Sequence, residues 1–160
     1  MQELIVKLKK KYPEVKFKSG HQFYWSPKTN QVIYKEGSNN IHDTWSLLHE
    51  TGHALLNHAT YKSDYELINI EVAAWHKAQD LAKQFNLEID KDHIEDCLDT
   101  YRDWVYNRSI CPNCTAKSIQ QENYHQYRCF NCKTVWRVST NRFCRTYRVT
   151  KNIIYSDTLH

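Results

Sequence analysis

The sequence predicts an α+β chain: a small β-sheet and three principal helices, then a short β-rich module. Three observations predict it. Aromatic and β-branched runs flank a turn within residues 15–34. Apolar residues recur at spacings of three and four between residues 41 and 108. Two C-x-x-C pairs, Cys111/Cys114 and Cys129/Cys132, fall in the C-terminal third.

Taken in order, the first dozen residues form a short helix with Leu4, Ile5 and Leu8 on one face, ending before Pro13. "VKF" reads as a strand. "HQFYWSPKTNQVIY" reads as a β-hairpin turning at "SPKTN". A helix follows from 41 to about 59, with Asn40 as N-cap and Asp43 in its first turn. Ser63-Asp64-Tyr65-Glu66 is an S-x-x-E capping box ahead of an apolar-periodic run to Phe85. A third long helix spans about Asp90 to Arg108, with the stripe Ile94, Cys97/Leu98, Tyr101 and Trp104/Val105. Cys97 lies on that stripe and is expected to be a buried structural thiol. Beyond Arg108, "YHQYRC" and "TVWRVS" alternate as strands do. The expected domains are therefore 1–108 and 109–160, with no internal repeat or low-complexity tract.

Composition bounds the function. The chain has 160 residues, 41% hydrophobic and 25% charged, which is ordinary globular usage. No apolar run approaches the roughly 18 residues of a membrane span. The N-terminus "MQELIVKLKKKYPEV" lacks the apolar core and cleavage site of a signal peptide, so the expected location is cytoplasmic. Charge is uneven. Residues 1–104 carry 13 Lys/Arg and 16 Asp/Glu, whereas residues 105–160 carry 9 and 2, a net of +7. A basic third of this kind serves solubility, or faces nucleic acid or another acidic partner.

The stretch "SLLHETGHALLNH" carries the chemistry. His49 and His53 are four residues apart, so on a helix their rings share one face and can bind one tetrahedral metal ion. Glu50 is turned away from that pair but can take a proton from a water held on the metal, the arrangement of H-E-x-x-H enzymes. The bland alternative is an amphipathic helix with two histidines. A catalytic zinc needs a third protein ligand, and the candidates are His58, Glu66 and Glu71. On a continuous helix His58 is rotated about 140° from His53, and "ALLN" has no glycine to turn the chain. Glu66 belongs to the capping box. Glu71 falls inside the apolar stripe Leu67, Ile70, Ala74, Ala78, Leu81, Phe85. A carboxylate there costs several kcal/mol unless paired, either by a metal or by a buried Lys or Arg. Leu47, Leu48, Leu55 and Leu56 should bury the histidine helix. Gly52 in mid-helix marks close approach of another backbone, a sheet strand or a bound peptide.

"LLHETGHALLNH" followed by "NIEVAAWHKAQDLA" resembles the ImmA/IrrE-type zinc metallopeptidases, a minimal gluzincin arrangement. The resemblance covers residues 20–86. It implies zinc on His49, His53 and Glu71 with Glu50 as general base, and a sheet edge that holds an extended substrate. The chain departs from the family in carrying a cysteine module and no N-terminal helix-turn-helix.

Cys111-Pro-Asn-Cys114 and Cys129-Phe-Asn-Cys132, 14 residues apart, have the spacing of a four-cysteine structural zinc site and resemble a zinc ribbon. A redox dithiol is the alternative. Cys144 receives no role. Tyr124, Tyr127, Phe130 and Trp136 lie among Arg128, Lys133, Arg137, Arg142, Arg145 and Arg148. Such a mixture suits either base stacking with phosphate contacts or the core of a small ribbon.

The leading expectation is a zinc metalloendopeptidase with one catalytic and one structural Zn²⁺, acting on a protein or peptide. Tyr65, His76 and His93 are candidates to stabilise an oxyanion. A SprT-like protease acting on DNA-bound proteins also resembles the chain, but requires a histidine such as His58 as third ligand. A non-catalytic nucleic-acid or protein-binding zinc module is the rival class.

Overall fold

The computed structural model describes residues 1–121, 125–140, 142 and 145–150. It is a mixed α+β structure. Four helices and two small sheets occur among the described residues. The chain divides into two compact units, Met1–Tyr61 with Glu66–Leu98, and Lys62–Tyr65 with Asp99–His160.

In the first unit, α1 (Gln2–Lys11) buries Leu4, Ile5 and Leu8, the face expected of it. β1 (Lys16–Gly20), β2 (Tyr24–Ser26) and β3 (Gln31–Lys35) form a sheet of order β1-β3-β2. β2 and β3 are the expected hairpin, turning through Asn30 at φ 52°. β1 pairs with β3 in parallel, placing β2 at an edge.

α2 (Ile41–Leu55) starts at Asn40, whose side chain accepts from the His42 N–H. It ends four residues short of the expected 59. Asn57 takes the left-handed conformation, φ 54°, and turns the chain. Asparagine tolerates that region far better than most residues and does here what a glycine would do. One consequence is that Leu56, expected in the core, is 39% exposed. α3 (Asp64–Gln84) buries Leu67, Ala74, Ala78 and Leu81. The unit's core joins α1, β3, α2, α3 and the start of α4 (Lys91–Ser109) through Leu8, Val32, Leu47, Leu48, Leu81 and Ile94. Each such side chain contributes roughly 1.5–3 kcal/mol by leaving water. Cys97 is half-buried against this core and forms no disulfide.

The second unit holds a sheet of order β4-β5-β6-β7, antiparallel throughout: Ile119–Gln120, Gln126–Arg128, Val135–Val138 and Arg148–Thr150. Its small core is Cys111, Tyr127, Cys129, Trp136 and Val138. A buried ion pair braces it. The Arg108 guanidinium donates to both Asp64 oxygens, at 2.7 and 3.2 Å, and the Tyr127 hydroxyl donates to Asp64 Oδ2. The Arg108 carbonyl accepts from the Trp136 indole.

Candidate metal centres

α2 presents His49 and His53 on one face, as their spacing requires, and that face meets α3. Gly52 permits the meeting. A Cβ there would stand 2.6 Å from the Ala74 carbonyl oxygen. The backbone that approaches Gly52 is thus that of α3, not a sheet strand or a bound peptide. Ala74 is three residues past Glu71, so the close approach lies one helical turn from the carboxylate.

Three donor atoms converge. His49 Nε2 and His53 Nε2 are 3.1 Å apart, and Glu71 Oε2 lies 3.3 and 3.5 Å from them. All three residues are buried, at 8%, 8% and 7% exposure. Ligands about 2.0–2.1 Å from a tetrahedral ion stand about 3.3–3.4 Å apart, so the triangle has the size a small tetrahedral cation needs. Hydrogen bonding supports the fit. Glu71 Oε2 and His49 Nδ1 are buried with no hydrogen-bond partner among the described residues. An orphaned carboxylate oxygen facing two imidazole nitrogens fits a group that could hold a cation. Burial pushes the Glu71 carboxyl up, but the imidazoles of His49 and His53, 3.3 and 3.5 Å from Oε2, outweigh it. The group is held well below the usual carboxylate range. The expected alternative, a buried Lys or Arg, is not what pairs with Glu71.

Around the triangle, the chain holds the ligands from behind. Trp75 stacks on the His49 ring, centroids 4.2 Å apart and planes at 30°. His53 Nδ1 meets His58 Nδ1 at 2.9 Å. The turn at Asn57 puts His58 there, on the far side of the His53 ring from Nε2, so His58 backs the His53 ring and does not complete the triangle. Glu50 Oε2 accepts from the backbone N–H of Trp25 in β2 at 2.6 Å, and the Trp25 indole donates to the His58 carbonyl at 2.6 Å. Trp25 carried no signal in the sequence beyond its place in a strand. Of the three proposed oxyanion donors, Tyr65 is 73% exposed and His76 is exposed. His93 packs edge-on to Trp75, with its ring nitrogens at His42 Nδ1 (3.2 Å) and Cys97 Sγ (3.7 Å). Burial, then the neighbouring His42, lowers its pKa.

The four cysteines form a second cluster. Cys111 Sγ lies 3.5 Å from Cys132 Sγ, and Cys114 Sγ lies 3.4 Å from Cys129 Sγ. These separations exclude disulfides at about 2.0 Å and approach the about 3.8 Å between tetrahedral thiolate ligands. The two knuckles are built alike. Cys111 N–H donates to the Ala116 carbonyl and Cys129 N–H to the Thr134 carbonyl, five residues on in each case. The residue after each second cysteine is left-handed, Thr115 at φ 60° and Lys133 at φ 63°. The Thr134 hydroxyl, then its backbone N–H, brings the Cys132 thiol down to about 5, while burial pushes Cys111 up to about 11. A divalent cation would favour the thiolate form of all four.

These two groups, His49/His53/Glu71 and Cys111/Cys114/Cys129/Cys132, could each hold a metal ion. Tyr127 and Trp136 are 2% and 0% exposed, so they serve the core and not base stacking, whereas Phe130 is 60% exposed. Tyr124 and Cys144 lie outside the described residues. No helix of the described chain is long and apolar enough to cross a membrane. No protein-family model, curated protein or solved structure matches the chain.

Proposed function

We propose that the chain is a zinc metallopeptidase of the ImmA/IrrE type that hydrolyses a protein or peptide substrate. His49, His53 and Glu71 would hold a catalytic Zn²⁺, and Cys111, Cys114, Cys129 and Cys132 a structural one. The observation that carries this reading is the buried triangle of His49 Nε2, His53 Nε2 and the orphaned Glu71 Oε2. Two imidazoles and one carboxylate in tetrahedral spacing are the donor set of catalytic zinc, and three protein donors leave one position open.

Zinc bound there supplies Lewis acidity, polarising a peptide carbonyl and bringing the pKa of water near neutrality. The chain's own residues supply the rest. The Trp25 N–H holds Glu50 Oε2. Glu50, oriented by that bond, would take a proton from the attacking water and return it to the leaving amine. Trp75 covers one face of His49 and keeps water from it. His58 fixes the His53 ring. β2 is an edge strand whose Trp25 N–H faces Glu50. An extended substrate would lie along a sheet edge, as the family resemblance implies.

Metal counting tests the reading. The wild-type chain is expected to carry two zinc ions, and His49→Ala one. Glu50→Gln should keep both ions, lose cleavage and co-purify with uncut substrate. A wild-type count of one that disappears in Cys111→Ser would leave a non-catalytic zinc module as the better account.

A further inference from the structure

The second unit contains a cavity of about 400 Å³ that neither metal centre uses. One wall is a single face of α4: Thr100, Asp103, Trp104 and Asn107, spaced three, one and three apart. The opposite wall brings Arg142, Arg145 and Arg148. Three guanidinium groups against one carboxylate leave the cavity cationic. Two of the arginines are fixed in advance. Arg142 Nη1 donates to Thr100 Oγ1 at 2.8 Å while its guanidinium lies 3.7 Å from the Tyr101 ring centroid. Arg148 Nη1 donates to the Ile110 carbonyl at 3.1 Å. Trp104 forms the buried floor of this wall. It is 6% exposed, its ring is covered by Arg108 at 4.0 Å, and its indole N–H has no acceptor among the described residues. A buried N–H without a partner costs about 1–3 kcal/mol.

We propose that this cavity binds a nucleotide phosphate, whether of a free nucleotide or of a nucleic-acid strand. Guanidinium is planar and forks its donors, which matches phosphate oxygens. Its fixed positions mean that little side-chain freedom is lost on binding. The volume lies in the range of small-molecule sites, about 300–1,000 Å³, and exceeds what a bare phosphate fills. The net charge of +7 on residues 105–160 draws such ligands toward this end of the sequence. The aromatic residues of the β4–β7 sheet do not compete for the role, because Tyr127 and Trp136 are core. The proposal is independent of peptidase activity.

The test uses the full zinc-loaded chain and a fluorescein-labelled single-stranded oligonucleotide, read by anisotropy, with AMP and inorganic phosphate as competitors. The wild type should bind, more weakly as salt rises. Arg145→Gln changes an exposed residue outside the unit's core. It should cost about tenfold in affinity and reduce the salt slope by about one. Arg148→Gln changes a second exposed arginine of the cavity, and should likewise cost about tenfold in affinity and reduce the slope by about one. Retained zinc content confirms that each variant folds. AMP displacing the probe at the oligonucleotide's own affinity would assign a nucleotide site. Displacement only at far higher concentration would assign a strand. Either supports the proposal. Absence of probe binding, or binding indifferent to both variants, overturns it.

Discussion

His53 makes two kinds of contact through one ring. Nε2 faces the donor triangle, and Nδ1 meets His58 at 2.9 Å. A ligating histidine is oriented by whatever its second nitrogen bonds, and loss of such a partner typically costs about 10–100-fold in metal affinity. His58→Ala is therefore expected to release the His/Glu-site metal to a chelator at about 10–100-fold lower concentration, with the cysteine site unchanged. Equal retention in wild type and variant would show that His58 does not orient His53. Residues differ in how far the sequence betrays them. Glu71 was legible because a carboxylate interrupts an apolar stripe. His58 stands outside the triangle, as its spacing implies, but its place behind His53 is not legible, since it depends on whether Asn57 adopts a left-handed conformation. Asparagine permits that conformation without requiring it. Trp25 was silent because its contact with Glu50 runs through the backbone N–H, which every residue but proline has.

Helix α2 joins sequence to site through its two special backbone positions, Gly52 and Asn57. At Gly52 an added methyl would sit 2.6 Å from the Ala74 carbonyl oxygen, which is backbone and cannot rotate away. Gly52→Ala should push α2 and α3 apart, cost about 1–3 kcal/mol of stability in denaturant and weaken metal retention, because Glu71 lies on the displaced helix. Unchanged stability would mean that the helices yield freely. At Asn57 the expected contrast is between two substitutions. Asn57→Gly should preserve the turn. Asn57→Val should cost about 1–2 kcal/mol and reproduce the metal loss of His58→Ala. The elements themselves were largely legible, since hairpin, capping box and helical stripes are local patterns. The parallel pairing of β1 with β3 was not, because it joins residues across the intervening β2 and leaves no mark on either strand's own alternation. The end of α2 is likewise hidden, because it turns on the conformation of Asn57.

At the scale of the whole molecule, the two units differ in how much apolar core they possess, and hence in their need for metal. The first unit buries Leu8, Val32, Leu47, Leu48, Ala78 and Leu81 within a core that reaches every one of its helices. The second buries Cys111, Tyr127, Cys129, Trp136 and Val138, and two of these five are thiols of the four-cysteine cluster, which could hold a metal ion. Small cores of this kind need a staple. The Arg108–Asp64 pair is a poor substitute, because two buried charges largely repay only their own desolvation. Binding energy at four thiolates is folding energy, about 10–16 kcal/mol for structural zinc in small domains. Exhaustive chelation should therefore unfold the second unit and leave the first intact. Limited proteolysis of the chelated chain is expected to cut within residues 110–150 while a fragment covering residues 1–98 persists. Cys111→Ser should give the same pattern without chelator, and His49→Ala should not. If both regions resist cleavage after metal removal, the apolar core of the second unit suffices and its cysteines are dispensable to its fold. If both are lost together, the first unit depends on metal as well, and the His49/His53/Glu71 ion would be structural as much as catalytic.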